Sequence, residues 1–226
     1  MKLQTPFEGL TINRRHLITR LASGLFLCSA QVSFAEELTR TAFSTEGPFY
    51  PKHLPLDTDN DLLIINDTIT PAVGQVTHLS GRILDAKGTP IRNATVEIWQ
   101  VDGKAVYYQD RANHPEHDPN YQGFGRFHTG STGEYYFRTV KPVLYPGRQA
   151  PHIHFKVKVK GRETWTTQLF VKGYLGNMKD GIYRDLGDAK ARATVTVDFA
   201  PIKKSRIGEL AAKFDIVLGY TTPDND

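Results

Sequence analysis

Two histidines lie one residue apart in the segment from Pro151 to Phe155, and an alternating Lys-Val-Lys-Val run follows them. The alternation predicts a β-strand, in which successive side chains point to opposite faces. His152 and His154 would then project from the same face and could bind one metal ion. This spacing alone suits zinc, copper, nickel or iron, and a pair of ordinary structural histidines is the alternative.

Tyr145 lies shortly before this pair, in a loop rich in proline and glycine. A loop tyrosine is usually a packing residue. Here, however, residues 142–155 contain no carboxylate, and the only cysteine of the chain is Cys28. A donor set of imidazole nitrogens and phenolate oxygens favours a hard, highly charged cation. Fe(III) is the natural match, because it stabilises a phenolate.

The elements that must position these side chains are short β-branched and aromatic runs separated by turn residues, from residue 75 onward. Residues 76–84 and 94–100 alternate in polarity and predict a hairpin. Further strands are predicted at 134–140, 152–159, 164–171, 193–198 and 214–218, with short helices only at 205–213 and 180–185. The pattern predicts an all-β fold, a two-sheet antiparallel β-sandwich with few short helices.

The chain is predicted to contain one folded domain, because 39% of its residues are hydrophobic, 11% are aromatic, and no repeat or second boundary is visible. Residues 36–74 are rich in proline and lack periodicity, which predicts an extended arm. We expect this arm to border the active site, and residues 75–226 to form the sandwich core.

Residues 1–35 have the layout of a signal peptide, with basic residues before a short apolar run at 21–30 and small residues suited to cleavage after Ala35. Arg14-Arg15 precedes the run and resembles a twin-arginine export signal; an ordinary secretory signal is the alternative. The run is too short to cross a bilayer, so no membrane span is expected after its removal. We expect an exported protein, periplasmic or extracellular.

The net charge of +4 is concentrated in this leader, which holds four basic residues and one acidic residue. The remainder has 24 basic and 23 acidic residues, a net charge of +1. A nearly neutral chain without a basic tract gives no electrostatic support for nucleic-acid binding, so no nucleic-acid partner is expected. Without Cys28 the remaining chain has no disulfide, so any metal must be bound through nitrogen and oxygen.

The segments Tyr145-Pro-Gly-Arg148 and His152-Ile-His-Phe155 together resemble the metal-binding signature of the intradiol ring-cleavage dioxygenases, ferric enzymes that act on catechols. The resemblance leans toward the protocatechuate 3,4-dioxygenase-like branch and spans roughly residues 45 to 218. Its further motifs are residues 81–85, 94–100, 123–126, 129–142 and 166–170.

This resemblance implies cleavage of a catechol-type ring between its two hydroxylated carbons, with O2 as co-substrate and a muconate-type diacid as product. It implies one non-haem Fe(III) ion held by Tyr107, Tyr145, His152 and His154. Arg148 and Gln168 are implied as catalytic groups beside the substrate. Which catechol is cleaved, and the oligomeric state, stay open.

Two alternatives and one departure from the family pattern accompany these predictions. Tyr108 competes with Tyr107 for the ligand role, since only one of two adjacent strand residues can face a metal. Three residues separate Arg148 from His152, one more than the family pattern leads us to expect. The hairpin around residues 81–99 is also typical of transthyretin-like sandwiches, so a binding module without catalysis is the alternative function.

Overall fold

Strands make up most of the regular structure in the computed structural model, which describes residues 37–66 and 70–220. The ten strands of this part of the chain form two five-stranded sheets. The predicted signal peptide, residues 1–35, and Cys28 lie outside the described residues. Within the described ranges, no helix is both long and apolar enough to cross a membrane.

The first sheet is built around a central strand that pairs with three others. Its members are β1 (Val76–Leu84), β4 (Glu134–Val140), β8 (Phe199–Pro201), β9 (Leu210–Lys213) and β10 (Ile216–Val217). Strand β1 is antiparallel to β4 and parallel to both β9 and β10, and β8 pairs with β9.

The second sheet carries the histidine pair and has the strand order β3-β2-β5-β6-β7. Its members are β2 (Thr95–Trp99), β3 (Phe124–His128), β5 (His152–Lys158), β6 (Trp165–Val171) and β7 (Thr196–Val197). The helices are short: α1 (Gly181–Asp185), α2 (Ala189–Ala193), and 3-10 turns at Tyr108–Asn113 and Asn177–Lys179.

The core lies between the sheets, where alternate side chains of each strand face inward. Leu79 and Phe137 come from the first sheet and Ile98 and Phe155 from the second, and all four are fully buried. The arm adds fully buried side chains of its own at positions 62 and 63. It is therefore part of the core as well as a covering segment.

The predicted all-β, two-sheet fold is confirmed, but the sheets are mixed because three strand pairs are parallel. The predicted hairpin of residues 76–84 with 94–100 is wrong: β1 and β2 lie in different sheets. Asp85 closes a local turn by accepting the N–H groups of Lys87 and Thr89. After that turn the chain crosses to the other sheet, so the apolar faces of β1 and β2 meet across the core.

The helix predicted at 205–213 is also wrong, because its last four residues form β9. Leu210 and Ala212 are buried while Ala211 and Lys213 are exposed, which is the two-residue period of a strand. The short helix predicted at 180–185 is confirmed as α1. Of the strand predicted at 193–198, only the two residues of β7 are extended.

Candidate metal centre

Strand β5 presents His152 and His154 on the outer face of the second sheet. Both residues are 2% exposed, and their ring centroids lie 4.9 Å apart. Nδ1 of His152 lies 2.8 Å from the carbonyl oxygen of Ala150. Because a carbonyl only accepts, this nitrogen carries the hydrogen, and Nε2 keeps its lone pair for the site.

Trp99 packs flat against His154, with ring centroids 4.8 Å apart and an interplanar angle of 11°. The two residues are register partners on β2 and β5, so the stacking follows from strand pairing. Trp99 is buried, and it lies on the outer face of the sheet, where it forms one wall of the site.

The loop after β2 directs Tyr107 towards the histidines. Asp102, which is fully buried, organises this loop: its Oδ1 accepts the N–H groups of Lys104 and Val106 at 2.8 and 3.0 Å. Ala105 adopts a positive φ of 68° within the same turn. The chain therefore reverses tightly, and Tyr107 leaves the turn pointing back over the sheet.

The hydroxyl of Tyr107 lies 3.0 Å from Nε2 of His154 and 3.5 Å from Nε2 of His152. Tyr108 begins the 3-10 turn and lines a separate cleft. The two tyrosines are not on a strand, contrary to the expectation, but they do point in different directions. Tyr107 is the one that the fold brings to the histidine pair.

Tyr145 approaches from the loop between β4 and β5. Its ring centroid lies 5.1 Å from that of Tyr107, nearly perpendicular to it, and 5.5 Å from that of His152. Gly147, with a φ of +94°, supplies a left-handed residue in this loop. The four predicted ligand side chains thus form one cluster, which we call the Tyr/His cluster.

Burial controls the protonation of this cluster. It raises the pKa of Tyr107 well above 10, and the neighbouring Tyr145 phenol adds to the effect. Burial, followed by the positive charge of Arg148, lowers the pKa of His152 to about 3. For His154, burial and then the other imidazole lower the pKa well below 6.5. Both imidazoles are therefore neutral at pH 7 and offer lone pairs.

Arg148 lies at the edge of the Tyr/His cluster and has three side-chain partners. Nη1 donates to Nε2 of His152 at 3.0 Å, and Nη2 donates to Oε1 of Gln168 at 2.9 Å. Nε and Nη2 donate to the two carboxylate oxygens of Asp180 at 2.8 and 2.9 Å. The extra residue before His152 does not separate Arg148 from the site. The structure thus brings Arg148 and Gln168 together beside the histidines.

The arm covers the open side of the cluster. Phe49 stacks on Tyr107 with centroids 4.3 Å apart and contacts Tyr145 edge-on at 5.9 Å. The carbonyl of Thr45 accepts a hydrogen bond from Gln168 at 3.3 Å. The predicted bordering segment therefore supplies an aromatic wall that limits access of water to the two phenols.

A buried carboxylate anchors this part of the arm. Glu97 of β2 is fully buried and accepts hydrogen bonds from the Tyr50 hydroxyl at 3.0 Å, Arg126 at 2.8 Å and Lys158 at 2.9 Å. Burial alone would raise the pKa of Glu97, but the hydrogen bonds from Lys158 and Arg126 outweigh it and hold the pKa below 4.5. Tyr50 in turn packs edge-on against Trp99.

The donor set of the cluster fits Fe(III). Within the described ranges, no group of three or more histidine, cysteine, aspartate or glutamate side chains could hold a metal ion. The phenol oxygens beside the histidine pair are those of Tyr107 and Tyr145, and these two would be the oxygen ligands of a metal held there. Phenolate oxygens with neutral imidazoles suit a hard trivalent cation, whose charge offsets the cost of ionising a buried phenol.

A cleft of about 720 Å³ adjoins the cluster across the ring of Phe49. Its other lining residues include Lys52, His53, Tyr108 and Arg111. A space of this size can admit a substituted aromatic molecule. Phe49 therefore separates the predicted metal ligands from a cleft with cationic side chains at its wall.

Two residues around the site escaped the sequence interpretation, Asp180 and Glu97. The available signals were weak: an aspartate directly before a short helix, and one carboxylate inside an otherwise apolar strand. Other histidines lie apart from the cluster. His78 contacts Tyr136 and Glu209 on the first sheet, and His114 and His117 lie in an exposed loop.

Comparison with known proteins identifies related sequences and structures. The family model described as Dioxygenase matches residues 45–219. The protocatechuate 3,4-dioxygenase beta chain of Burkholderia cepacia is 40% identical over 156 residues, which cover 65% of this chain and 65% of that relative. The hydroxyquinol 1,2-dioxygenase of Corynebacterium glutamicum is 29% identical over 144 residues, 56% of this chain and 44% of the relative. The matched region thus spans less than two thirds of either relative.

Solved structures show the same fold. The dioxygenase domain of a dioxygenase carbohydrate-binding protein fusion from Streptomyces sp. SirexAA-E superposes with a TM-score of 0.62 at 24% identity, covering 81% of this chain and 100% of that chain. An intradiol ring-cleavage dioxygenase from Tetranychus urticae gives a TM-score of 0.63 at 19% identity, covering 83% and 98%. At these identities the likeness shows the fold.

Proposed function

Because the chain belongs to the intradiol ring-cleavage dioxygenase family, we propose that it binds one non-haem Fe(III) ion and cleaves a catechol-type ring with O2. Cleavage occurs between the two hydroxylated carbons and gives a muconate-type diacid that contains both oxygen atoms of O2. The observation that carries the proposal is the convergence of the Tyr107 hydroxyl on Nε2 of both His152 and His154, with Tyr145 beside them.

The proposed ligands are the phenol oxygens of Tyr107 and Tyr145 and the Nε2 atoms of His152 and His154. When bound there, Fe(III) supplies Lewis acidity and the electron-accepting centre through which a catecholate becomes reactive towards O2. The hydrogen bond from His152 to Ala150 supports this assignment, because it orients the lone pair of Nε2 towards the cluster.

The side chains of the cluster also manage protons and charge. A catechol gives up two hydroxyl protons when it binds as a dianion: a phenolate oxygen of one tyrosine can accept the first, and the second can pass to solvent. Nη1 of Arg148 donates to Nε2 of His152 in this structure. With that lone pair bound to a metal, Nη1 would be free to donate to an anionic oxygen of the substrate. Phe49 and Trp99 form apolar walls that hold the aromatic ring and exclude water.

We propose a catechol with an anionic substituent as substrate. The relative that is 40% identical is named for protocatechuate, a catechol that carries a carboxylate. The cleft beside Phe49 supports this choice, since Lys52, His53 and Arg111 line it, with Asp110 as the acidic residue among them. The protein spans only part of that relative, so its substrate requires a direct test.

The binding-module alternative is not favoured, because the match with the dioxygenase family covers residues 45–219. Export stays a proposal that rests on the leader-like residues 1–35. Its test is the N-terminus of the protein recovered from outside the cytoplasm. Cleavage after Ala35 predicts a chain that begins at Glu36, whereas an unprocessed chain confined to the cytoplasm would contradict export.

The function is tested with iron-loaded protein and a panel of catechol, hydroxyquinol and protocatechuate. We expect oxygen uptake, with a ring-opened diacid that incorporates both atoms of isotopically labelled O2. Protocatechuate is expected to give the highest kcat/KM of the three. Tyr145→Phe is expected to reduce turnover, while Tyr174→Phe, a tyrosine outside the cluster, serves as the matched control. A protein that binds no iron and consumes no oxygen with any catechol would refute the proposal.

A further inference from the structure

The carboxylate of Asp180 is buried and accepts four hydrogen bonds. Oδ2 accepts from Nε of Arg148 at 2.8 Å and from the N–H of Gln149 at 3.0 Å. Oδ1 accepts from Nη2 of Arg148 at 2.9 Å and from the N–H of Tyr183 at 3.1 Å. The two backbone donors fix the carboxylate independently of the arginine. Asp180 is therefore a rigid acceptor against which the guanidinium aligns.

This contact determines which edge of the guanidinium faces the site. A bidentate pair engages Nε and Nη2, and because the guanidinium is planar, the position of Nη1 follows. Nη1 points to Nε2 of His152, and the remaining capacity of Nη2 is used by Gln168. Without Asp180, Arg148 would lose its bidentate partner and keep single hydrogen bonds to His152 and Gln168.

We propose that Asp180 is a positioning residue, which holds the Nε and Nη2 edge of Arg148 so that Nη1 faces the anionic oxygen of a substrate beside the Tyr/His cluster. The part of this inference that concerns substrate rests on the proposed function; the orientation of Arg148 does not. The carboxylate also balances the arginine charge, so Nη1 donates a directed hydrogen bond from a neutral ion pair.

The orientation is tested without metal or substrate by the hydrogen exchange of the arginine Nε–H groups, measured by NMR. The Arg148 signal is assigned by its loss in Arg148→Lys. In the unmodified protein we expect its exchange to be at least about tenfold slower than that of the exposed Arg92. Asp180→Asn is expected to abolish this protection. Fast exchange in the unmodified protein, or unchanged protection in the variant, would overturn the proposal.

A double-mutant cycle tests whether Asp180 acts through Arg148. Each of Asp180→Asn and Arg148→Lys is expected to lower kcat/KM by about tenfold to a hundredfold in the iron-loaded protein. The kcat/KM of the double variant is expected to be no more than about twofold below that of the less active single variant. Losses that multiply would mean that Asp180 has a separate structural role, and this result also overturns the proposal.

Asp188→Asn is the matched control, because Asp188 likewise accepts an N–H at the start of a five-residue helix but is exposed, whereas Asp180 is buried. It is expected to change neither the Arg148 exchange rate nor kcat/KM. If the iron-loaded protein cleaves no catechol, the proposed function fails. The exchange measurement then still decides whether Asp180 orients Arg148.

Discussion

Each of the two sheets carries a histidine that touches a tyrosine hydroxyl on its outer face, yet the two places differ in chemistry. On the second sheet, Tyr107 lies 3.0 Å from His154. On the first, the Tyr136 hydroxyl lies 2.5 Å from Nδ1 of His78. The second nitrogen of His78 is 3.0 Å from a carboxylate oxygen of Glu209. The two places therefore share a contact between a histidine nitrogen and a tyrosine hydroxyl, but only the one at His78 includes a carboxylate.

The difference lies in burial and in the carboxylate. The side chain of His78 is 30% exposed, and Tyr136 and Glu209 are the hydrogen-bond partners of its two nitrogens. His152 and His154 are almost fully buried, and Nδ1 of His154 has no hydrogen-bond partner within the described part of the chain. Residue type alone therefore does not distinguish the two clusters, whereas burial and contact with a carboxylate do.

The largest effect is expected from replacing a histidine of the Tyr/His cluster, compared with the same replacement at His78. His154→Ala should abolish stoichiometric iron binding and lower kcat/KM by at least about a hundredfold, since loss of groups that merely support a ligand already costs tenfold to a hundredfold. His78→Ala should leave both unchanged. Iron content and oxygen uptake measure the two variants side by side. Full iron content in His154→Ala would break the distinction between the clusters.

Removing the two hydroxyl groups sharpens the same contrast. Tyr107→Phe is expected to alter the phenolate-to-iron absorption in the visible region and to lower kcat/KM by about tenfold or more, because one oxygen ligand is lost. Tyr136→Phe keeps the spectrum and the rate. Absorption spectra and initial rates of the iron-loaded proteins provide the measurement. Identical spectra for Tyr107→Phe and the unmodified protein would exclude Tyr107 as a ligand.

The carboxylates of the two outer faces should differ in their effect on stability. Glu97→Gln is expected to lower the free energy of unfolding by about 3 kcal/mol, because it breaks a buried ion pair with Arg126 and Lys158. Glu209→Gln, in an accessible pair with His78, is expected to change it little. Urea unfolding of the metal-free variants measures both values. Equal losses would show that the ion pairs of Glu97 stabilise the fold no more than the pair of Glu209 does.

The smallest expected effect is on the dependence of stability on pH. The folded-state pKa of Glu97 is lowered, so the unfolded chain binds more protons as the pH falls through about 4.5. The stabilisation is thus complete above the unfolded pKa and is lost as the pH falls through the folded pKa. Glu97→Gln should flatten the acid limb of a plot of unfolding free energy against pH. An unchanged slope would contradict the lowered pKa.

Local periodicity was sufficient to predict the strands that carry the site. Strands β2 and β5 lie within the predicted ranges 94–100 and 152–159, and the alternation around His152 places both imidazoles on one face. The assumption that neighbouring strands pair failed for β1 and β2, because crossing between sheets leaves no local signal. The strand β9 escaped prediction since four residues pairing in parallel with a distant strand carry little pattern.

The site shows the same division between local and distant information. The spacing of His152 and His154 is a local property, whereas the approach of Tyr107 depends on a turn around Asp102. Asp180 lies 32 residues beyond Arg148, and only the packing of α1 against the loop before β5 brings them together. The roles of Tyr107, Arg148 and Gln168 could be predicted only from the family resemblance.

The most direct measurement is an anomalous difference map at the iron absorption edge, from crystals of the iron-loaded protein. We expect a single strong peak about 2 Å from the oxygens of Tyr107 and Tyr145 and from Nε2 of His152 and His154. A peak elsewhere, or a metal held by the histidines with both tyrosines turned away, would contradict the assignment of this cluster as the iron site.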